Sequence, residues 1–346
     1  MGLTPQLKPE FNSRLTGKKL DDSRTLLAKA YKSWLENIQP VSVPLALISQ
    51  IQRSGGSMLS QLFDGHPQVH AHPHELKFGF PRKYIWPPID LGDRPDRWFE
   101  ILFEEIVVRH FRYGYKKMEK YKDTFLFIFL TSLQKELFLK YFEPIDKINQ
   151  RDVFDAYMTS YFGAWVNNQN RLGDKKLITA FTPRLAFMEK NMASFFNTYP
   201  DGRLISVVRD PKNWFPSATR HKLDKYGDIK HALDQWLDSA KSMVQNKKRY
   251  GDRVCIISFE DQIRRTGAVM RYLADFLKIR FDDILLMPTF NKIATKPNSS
   301  FKLEKPGIMI SALERYKTLS REELNTIEAM TGEAYTQVLG MVASIP

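Results

Sequence analysis

Three short stretches carry residues whose types and spacing can do chemistry. Arg53 stands directly before Ser54, Gly55, Gly56, Ser57 and Met58. A guanidinium beside a run of small residues, whose amides are open, is an arrangement that binds phosphate or sulfate. Arg209 opens the triplet Arg209, Asp210, Pro211, and Ser217 follows it by eight positions. A planar fork with a nearby hydroxyl suits a phosphate dianion. Glu75 and His74 offer a carboxylate and an imidazole for general-base work near neutral pH. The alternation His70, His72, His74 would place three imidazoles on one face of an extended chain, and with Glu75 it invites a metal reading. Pro73 interrupts that geometry, and no metal is expected. Each stretch also has a plainer reading: a tight strand-to-helix turn that binds nothing, Arg209 paired with Asp210, and Glu75 paired with Lys77 at the surface.

The elements around these residues can be read from hydrophobic periodicity. Residues 45 to 51 form a short apolar, β-branched run, and Met58, Leu59, Leu62 and Phe63 repeat at helical spacing. That order aims a helix N-terminus, with its free amides and positive dipole end, at whatever lies above the strand. The loop is no Walker A motif, because Gln50 stands where a Gly is required and Gly56 where the Lys is required. Residues 204 to 208 read as a second strand running directly into Arg209, at the crevice where doubly wound sheets bind ligands. Further strands are expected at 176–181 and 253–258, and helices at 186–199, 228–250 and 266–277. Ser320 opens a last helix with Glu322 and Glu323 in its first turn. Alternating strands and helices give an α/β fold with a central parallel sheet flanked by helices.

The remaining segments are less marked. Asp22 or Ser23 can cap a helix from Leu26 to Ile38 behind a basic N-terminal arm, and residues 1–40 are expected to form that arm and helix. Residues 81–95 are rich in Pro and aromatics, Tyr84 and Trp86 among them, and read as an irregular cover that can carry substrate contacts. Residues 81–173 are mostly helical in pattern, with Phe99, Leu102, Phe103 and Ile106 on one face and a second amphipathic run at 153–166. Residues 125–139 fit strand or helix, and helix is favoured.

A chain of 346 residues supports one large α/β domain spanning 1–346. The formal charge of +13 argues for anionic partners such as phosphorylated cofactors, acidic glycans, nucleic acid or a lipid surface. The single cysteine, Cys255, excludes disulfides within the chain and cysteine zinc sites, and its apolar neighbours predict a buried strand position. The opening MGLTPQLKPEFNSRL lacks the apolar core of a signal peptide, Gln6 breaks the myristoylation pattern, and the apolar burst at 125–130 is too short to cross a bilayer. A cytoplasmic enzyme is the expectation.

Two segments, in order, resemble the sulfotransferases that use 3′-phosphoadenosine 5′-phosphosulfate (PAPS). RSGGSM followed by LFDGHPQV is similar to their 5′-phosphosulfate loop with its closing HP dipeptide, and LISVVRDPKNWFPSATRH is similar to their 3′-phosphate site. VCIISFEDQ, with Phe276 and Leu277, resembles the family's later strand and acidic turn. KPNSSF resembles the C-terminal loop that closes over the nucleotide, which would bring Asn298, Ser299, Ser300 and Lys302 near the adenosine bisphosphate.

The resemblance implies a P-loop-like sulfotransferase fold and sulfuryl transfer from PAPS to a hydroxyl acceptor by in-line displacement, with no metal. It casts Arg53 and the amides of residues 54–57 as stabilisers of the leaving 5′-phosphate, and Arg209 and Ser217 as ligands of the 3′-phosphate. The spacing after the HP dipeptide is closer to glycosaminoglycan sulfotransferases, whose glutamate at that place is the base; the role falls here on Glu75, with His74 in reserve. A carbohydrate or glycolipid acceptor follows from the same likeness, although a phenol or an amine fits the residues too, and no nucleic-acid partner is expected. One departure stands out: the family's KTP or KSP lysine is replaced by Phe181 in FTPR, so that Arg184 or Arg82 would have to supply the charge. A P-loop-like kinase using ATP and Mg²⁺ and a non-enzymatic polyanion binder are the alternatives.

Overall fold

The computed structural model of the chain describes residues 17–80, 85–115, 125–221, 226–296 and 307–346. The chain divides into two compact units, 1–41 and 42–346. In the first, helix α1 spans Gly17–Glu36. It starts well before the expected Asp22 or Ser23 cap, because the lysine- and leucine-containing run before those residues is itself a good helix former.

The second unit is built on a five-stranded sheet. Strands β1 (Leu45–Ile48), β2 (Val69–Glu75), β3 (Leu177–Phe181), β4 (Arg203–Val208) and β5 (Val254–Ser258) lie in the order β2-β3-β1-β4-β5, every neighbouring pair parallel. Nearly every residue of the five strands is buried, as a parallel sheet covered on both faces requires. Cys255 lies in β5 at 3% exposure. Helix α2 (Gly56–Phe63) follows β1 and buries Met58, Leu59, Leu62 and Phe63, the four residues whose spacing predicted it.

Helices α3 (Pro95–Leu102), α4 (Ile106–Tyr113), α5 (Thr131–Lys140) and α6 (Gln150–Ala164) fill the region before β3. The capping box of Asn149 with Asp152 fixes the start of α6. Residues 125–130 correct the expected helix: they run extended, and Phe129 bridges Trp165 in antiparallel fashion. Phe127 and Phe129 are buried at 2% while Leu126, Ile128 and Leu130 are exposed, the period of two that an extended chain imposes. Trp86 is also a core residue, 4% exposed and stacked on Phe154 at 4.6 Å.

Helix α7 (Glu189–Thr198) leads to β4, α8 (Pro211–His221) leaves it, and α9 (Ile229–Tyr250), capped by Asp228, returns the chain to β5. The short α10 (Phe259–Arg264), α11 (Thr266–Leu277) and α12 (Arg321–Leu339) complete the unit, the last opened by a Ser320–Glu323 capping box. Because the chain passes from β3 to β4 across β1, the strand order reverses beside β1. The crevice at that switch point lies above the carboxyl ends of the strands.

Candidate active site

The turn after β1 is shaped by residues that permit unusual backbone. Gly55 has φ +96° and a Cβ there would lie 2.5 Å from the Phe259 ring; one on Gly56 would lie 2.4 Å from Phe181. Arg53 takes φ +70°, a left-handed conformation that costs a non-glycine residue about 1–2 kcal/mol. The turn holds because its carbonyls are satisfied from outside. Trp214 Nε1 donates to Gln52 O at 2.8 Å, and Arg209 Nη1 donates to Arg53 O at 2.8 Å. Anchored so, the turn delivers the first amides of α2, which no intrahelical carbonyl can satisfy, to the crevice.

A cleft opens there, with about 860 Å³ of space between its walls, open solvent included. All five strands contribute from their carboxyl ends: Glu75 ends β2, Phe181 ends β3, Gln52 and Arg53 follow β1, Arg209 follows β4 and Phe259 follows β5. Gly55, Gly56, Ser57, Met58 and Ser217 line it as well. Ser54 lies behind the wall at 1% exposure, its hydroxyl without a hydrogen-bond partner among the described residues.

Arg209 is 4% exposed, lies 4.3 Å over the Phe259 ring and donates a second bond, from Nη2 to Ala312 O, at 2.8 Å. Burial pulls its pKa down to about 9, the opposing charge of Glu260 partly restoring it. It is therefore still a cation at neutral pH. Asp210, the partner offered by the plainer reading, receives no hydrogen bond from it. Ser217 Oγ donates weakly to Asn213 O, one turn back on α8, at 3.4 Å. Glu75 pairs with Lys77 Nζ at 2.5 Å yet keeps its place on the cleft wall.

Other expected residues lie elsewhere. His74 is 7% exposed and is not among the cleft-lining residues; burial, then the nearby His72 and His110, holds its imidazole well below the usual histidine range. Arg184 sits behind the loop, donating to Gln52 Oε1 at 2.7 Å and Gln235 Oε1 at 2.5 Å. Asn298, Ser299, Ser300, Lys302 and Arg82 fall outside the described residues. His70 stacks on Phe162 at 4.6 Å, away from the other two histidines. His72 and His74 do come together, with Glu104 as the third member, their potential ligand atoms within 4.8 Å of one another.

Two ionisable cleft residues had no role in the sequence reading. His221 follows Ser217 by four positions on α8, so helical spacing alone could have placed both on one face. Arg315, 8% exposed, comes from the chain 106 residues beyond Arg209 and carries no local signal. Its pKa is pulled down to about 10 by burial and then by the charges of Arg53 and Arg220. Arg53, Arg209 and Arg315 thus repel one another in one pocket, a charge arrangement that an anion would relieve.

The sequence model described as the sulfotransferase family matches residues 44–283. The chain belongs to that family. Among solved structures, this sulfotransferase chain is similar to the sulfotransferase domain from the Synechococcus PCC 7002 olefin synthase, at 18% identity and TM-score 0.50 over 89% of this chain and 98% of that one. It is similar also to the sulfotransferase domain from the curacin biosynthetic pathway, at 16% identity and TM-score 0.50 over 84% of this chain and 98% of that one. Both bear out the fold of the sulfotransferase. No curated protein matches it by sequence. Among its described residues no helix is long and apolar enough to cross a membrane.

Proposed function

We propose that this sulfotransferase moves a sulfuryl group from PAPS to a hydroxyl, with Glu75 as general base. The observation that carries the reading is the meeting of Arg53, the α2 N-terminus, Arg209 and Glu75 in one cleft at the sheet's carboxyl edge. The acceptor oxygen attacks sulfur in line, the bond from sulfur to the 5′-phosphate oxygen breaks, and the acceptor proton passes to Glu75. Arg53 and the amides of residues 54–57 face the leaving phosphate, where preorganised donors lower the barrier. Arg209 and Ser217 hold the 3′-phosphate, and Arg315 adds charge on the same side.

The whole site lies in residues 42–346, so the catalytic domain is that unit, working in the cytoplasm without a metal. The acceptor is a carbohydrate or glycolipid hydroxyl, on the strength of the spacing between the loop and Glu75. Trp86 lends that choice nothing, because it is buried in the core.

The test is calorimetric titration of adenosine 3′,5′-bisphosphate into wild type, Arg209→Ala and Glu75→Gln, with AMP and ATP–Mg²⁺ as comparators. Wild type and Glu75→Gln bind alike and require the 3′-phosphate, while Arg209→Ala loses about a hundredfold, the worth of two charge-assisted bonds. Equal affinity for AMP or ATP–Mg²⁺ refutes the donor assignment. Retained turnover of PAPS in Glu75→Gln refutes the base.

A further inference from the structure

The end of β2 leaves the regular ladder just before Glu75. Register with β3 shifts between Ala71 and Glu75, and Pro73 in that interval has no amide to donate. Buried side chains replace the missing ladder. His72 Nδ1 lies 3.0 Å from His74 O, and His74 Nδ1 lies 3.0 Å from Glu75 O. A carbonyl can only accept, so each Nδ1 carries the proton, and His74 Nε2 is left to accept from the Tyr161 hydroxyl at 2.8 Å.

Glu104, between α3 and α4 and 0% exposed, closes the arrangement. Its Oε2 accepts from Lys77 N at 2.7 Å and its Oε1 accepts from the Tyr157 hydroxyl at 2.9 Å, while His72 Nε2 lies 3.3 Å from Oε1 without a hydrogen bond. Leu76 N donates to Phe181 O at 2.9 Å. The backbone on both sides of Glu75 is therefore held by partners from α6, β3 and the α3–α4 turn. A metal is a poorer account of the cluster, since both ring nitrogens of His74 are already engaged.

We propose that Glu104 is a positioning residue: acting with His72 and His74, it locks the bulged end of β2 so that the Glu75 carboxyl is delivered to the cleft. The inference rests on Glu75 being the base. It does not depend on the acceptor, because the bulge and its partners lie behind the cleft wall. A carboxyl group is needed at 104 because both of its oxygens accept. An amide of the same shape would either turn its NH₂ toward Lys77 N–H, which can only donate, or toward the Tyr157 hydroxyl, which would have to reverse and accept, losing the bond it now donates.

The experiment measures release of sulfate from PAPS to water, a turnover that needs no identified acceptor, in the full chain and in Glu104→Gln, Tyr157→Phe and Glu75→Gln. Calorimetric affinity for adenosine 3′,5′-bisphosphate and the KM for PAPS are measured on the same preparations. Glu104→Gln is expected to lower kcat at least tenfold and Tyr157→Phe several-fold, both with donor affinity and KM within twofold of wild type. Tyr157→Phe keeps the test decisive should Glu104→Gln fail to fold. Wild-type kcat in Tyr157→Phe or in folded Glu104→Gln, with Glu75→Gln inactive, overturns the positioning role and leaves the base standing. An active Glu75→Gln removes both. A fall in donor affinity parallel to kcat marks general damage and overturns it, as does stoichiometric metal in the purified protein.

Discussion

Gly55→Ala is a perturbation whose effect can be worked from the structure. The residue sits at φ +96°, where an alanine costs about 1–2 kcal/mol, and the new Cβ would lie 2.5 Å from Phe259 Cδ2 and 2.9 Å from Cε2. An aromatic ring cannot swing clear as the end of a lysine can, so the contact adds an overpacking penalty of about 1–3 kcal/mol. Destabilisation of about 2–5 kcal/mol is expected, read as a lower urea midpoint with an unchanged slope. The same displacement has a functional face. Phe259 is the ring under the Arg209 guanidinium, so moving it disturbs the group that donates to Arg53 O and Ala312 O. Affinity for adenosine 3′,5′-bisphosphate should then fall by about tenfold or more at a temperature where the variant is folded, roughly 1.4 kcal/mol of lost binding. A Gly55→Ala protein with a wild-type midpoint would refute the left-handed turn. One that is destabilised but binds like wild type would refute the coupling through Phe259.

Two further outcomes concern pH. Glu260 has its pKa pushed up to about 7 by burial, so between the ordinary carboxyl range and pH 7 the folded chain holds a proton that the unfolded chain has lost, and stability falls as pH rises through that window. Glu260→Gln should flatten that limb, gaining on wild type at pH 8 relative to pH 5 in urea titrations; an unchanged difference would refute it. His70 is the opposite case: burial lowers its pKa to about 3, so below pH 6.5 the unfolded chain binds a proton that the folded chain refuses, and stability is lost as pH falls. His70→Phe, stacked on Phe162, should be stabilised more at pH 5 than at pH 8, and equal effects at the two would count against the burial argument.

The placement of the β1 and β4 loops at the cleft was legible because their residues are local in sequence. Arg53 to Met58 and Arg209 to Ser217 each follow a strand directly, so the strand's end carries the group to the crevice with no further information. The helix opening at Ser320 was legible for the same reason. Glu104 and Arg315 were not, since what makes them matter is a contact across the fold: Lys77 N for the one, the charges of Arg53 and Arg209 for the other. The run at 125–130 was misread because its composition is apolar throughout. The alternation of Phe with Leu and Ile held the answer, but a pattern of apolar against apolar shows its period only once burial distinguishes them. Trp86 misled in another way, since an aromatic in a Pro-rich stretch looks like a contact surface until Phe154 is seen against it.

The central place of β1 has a consequence for how the chain is made. Leu45 pairs with Ile178 on one side, and Ala46 with Arg203 on the other. A ribosome adding about 5–20 residues per second therefore leaves the apolar run LALI without either neighbour for on the order of ten seconds after it is synthesised. Throughout that interval the turn after β1 has nothing to brace it, since Trp214 and Arg209 are later still. The nascent chain thus carries this apolar strand as its longest-waiting one, a short segment of the kind that holdase chaperones seize.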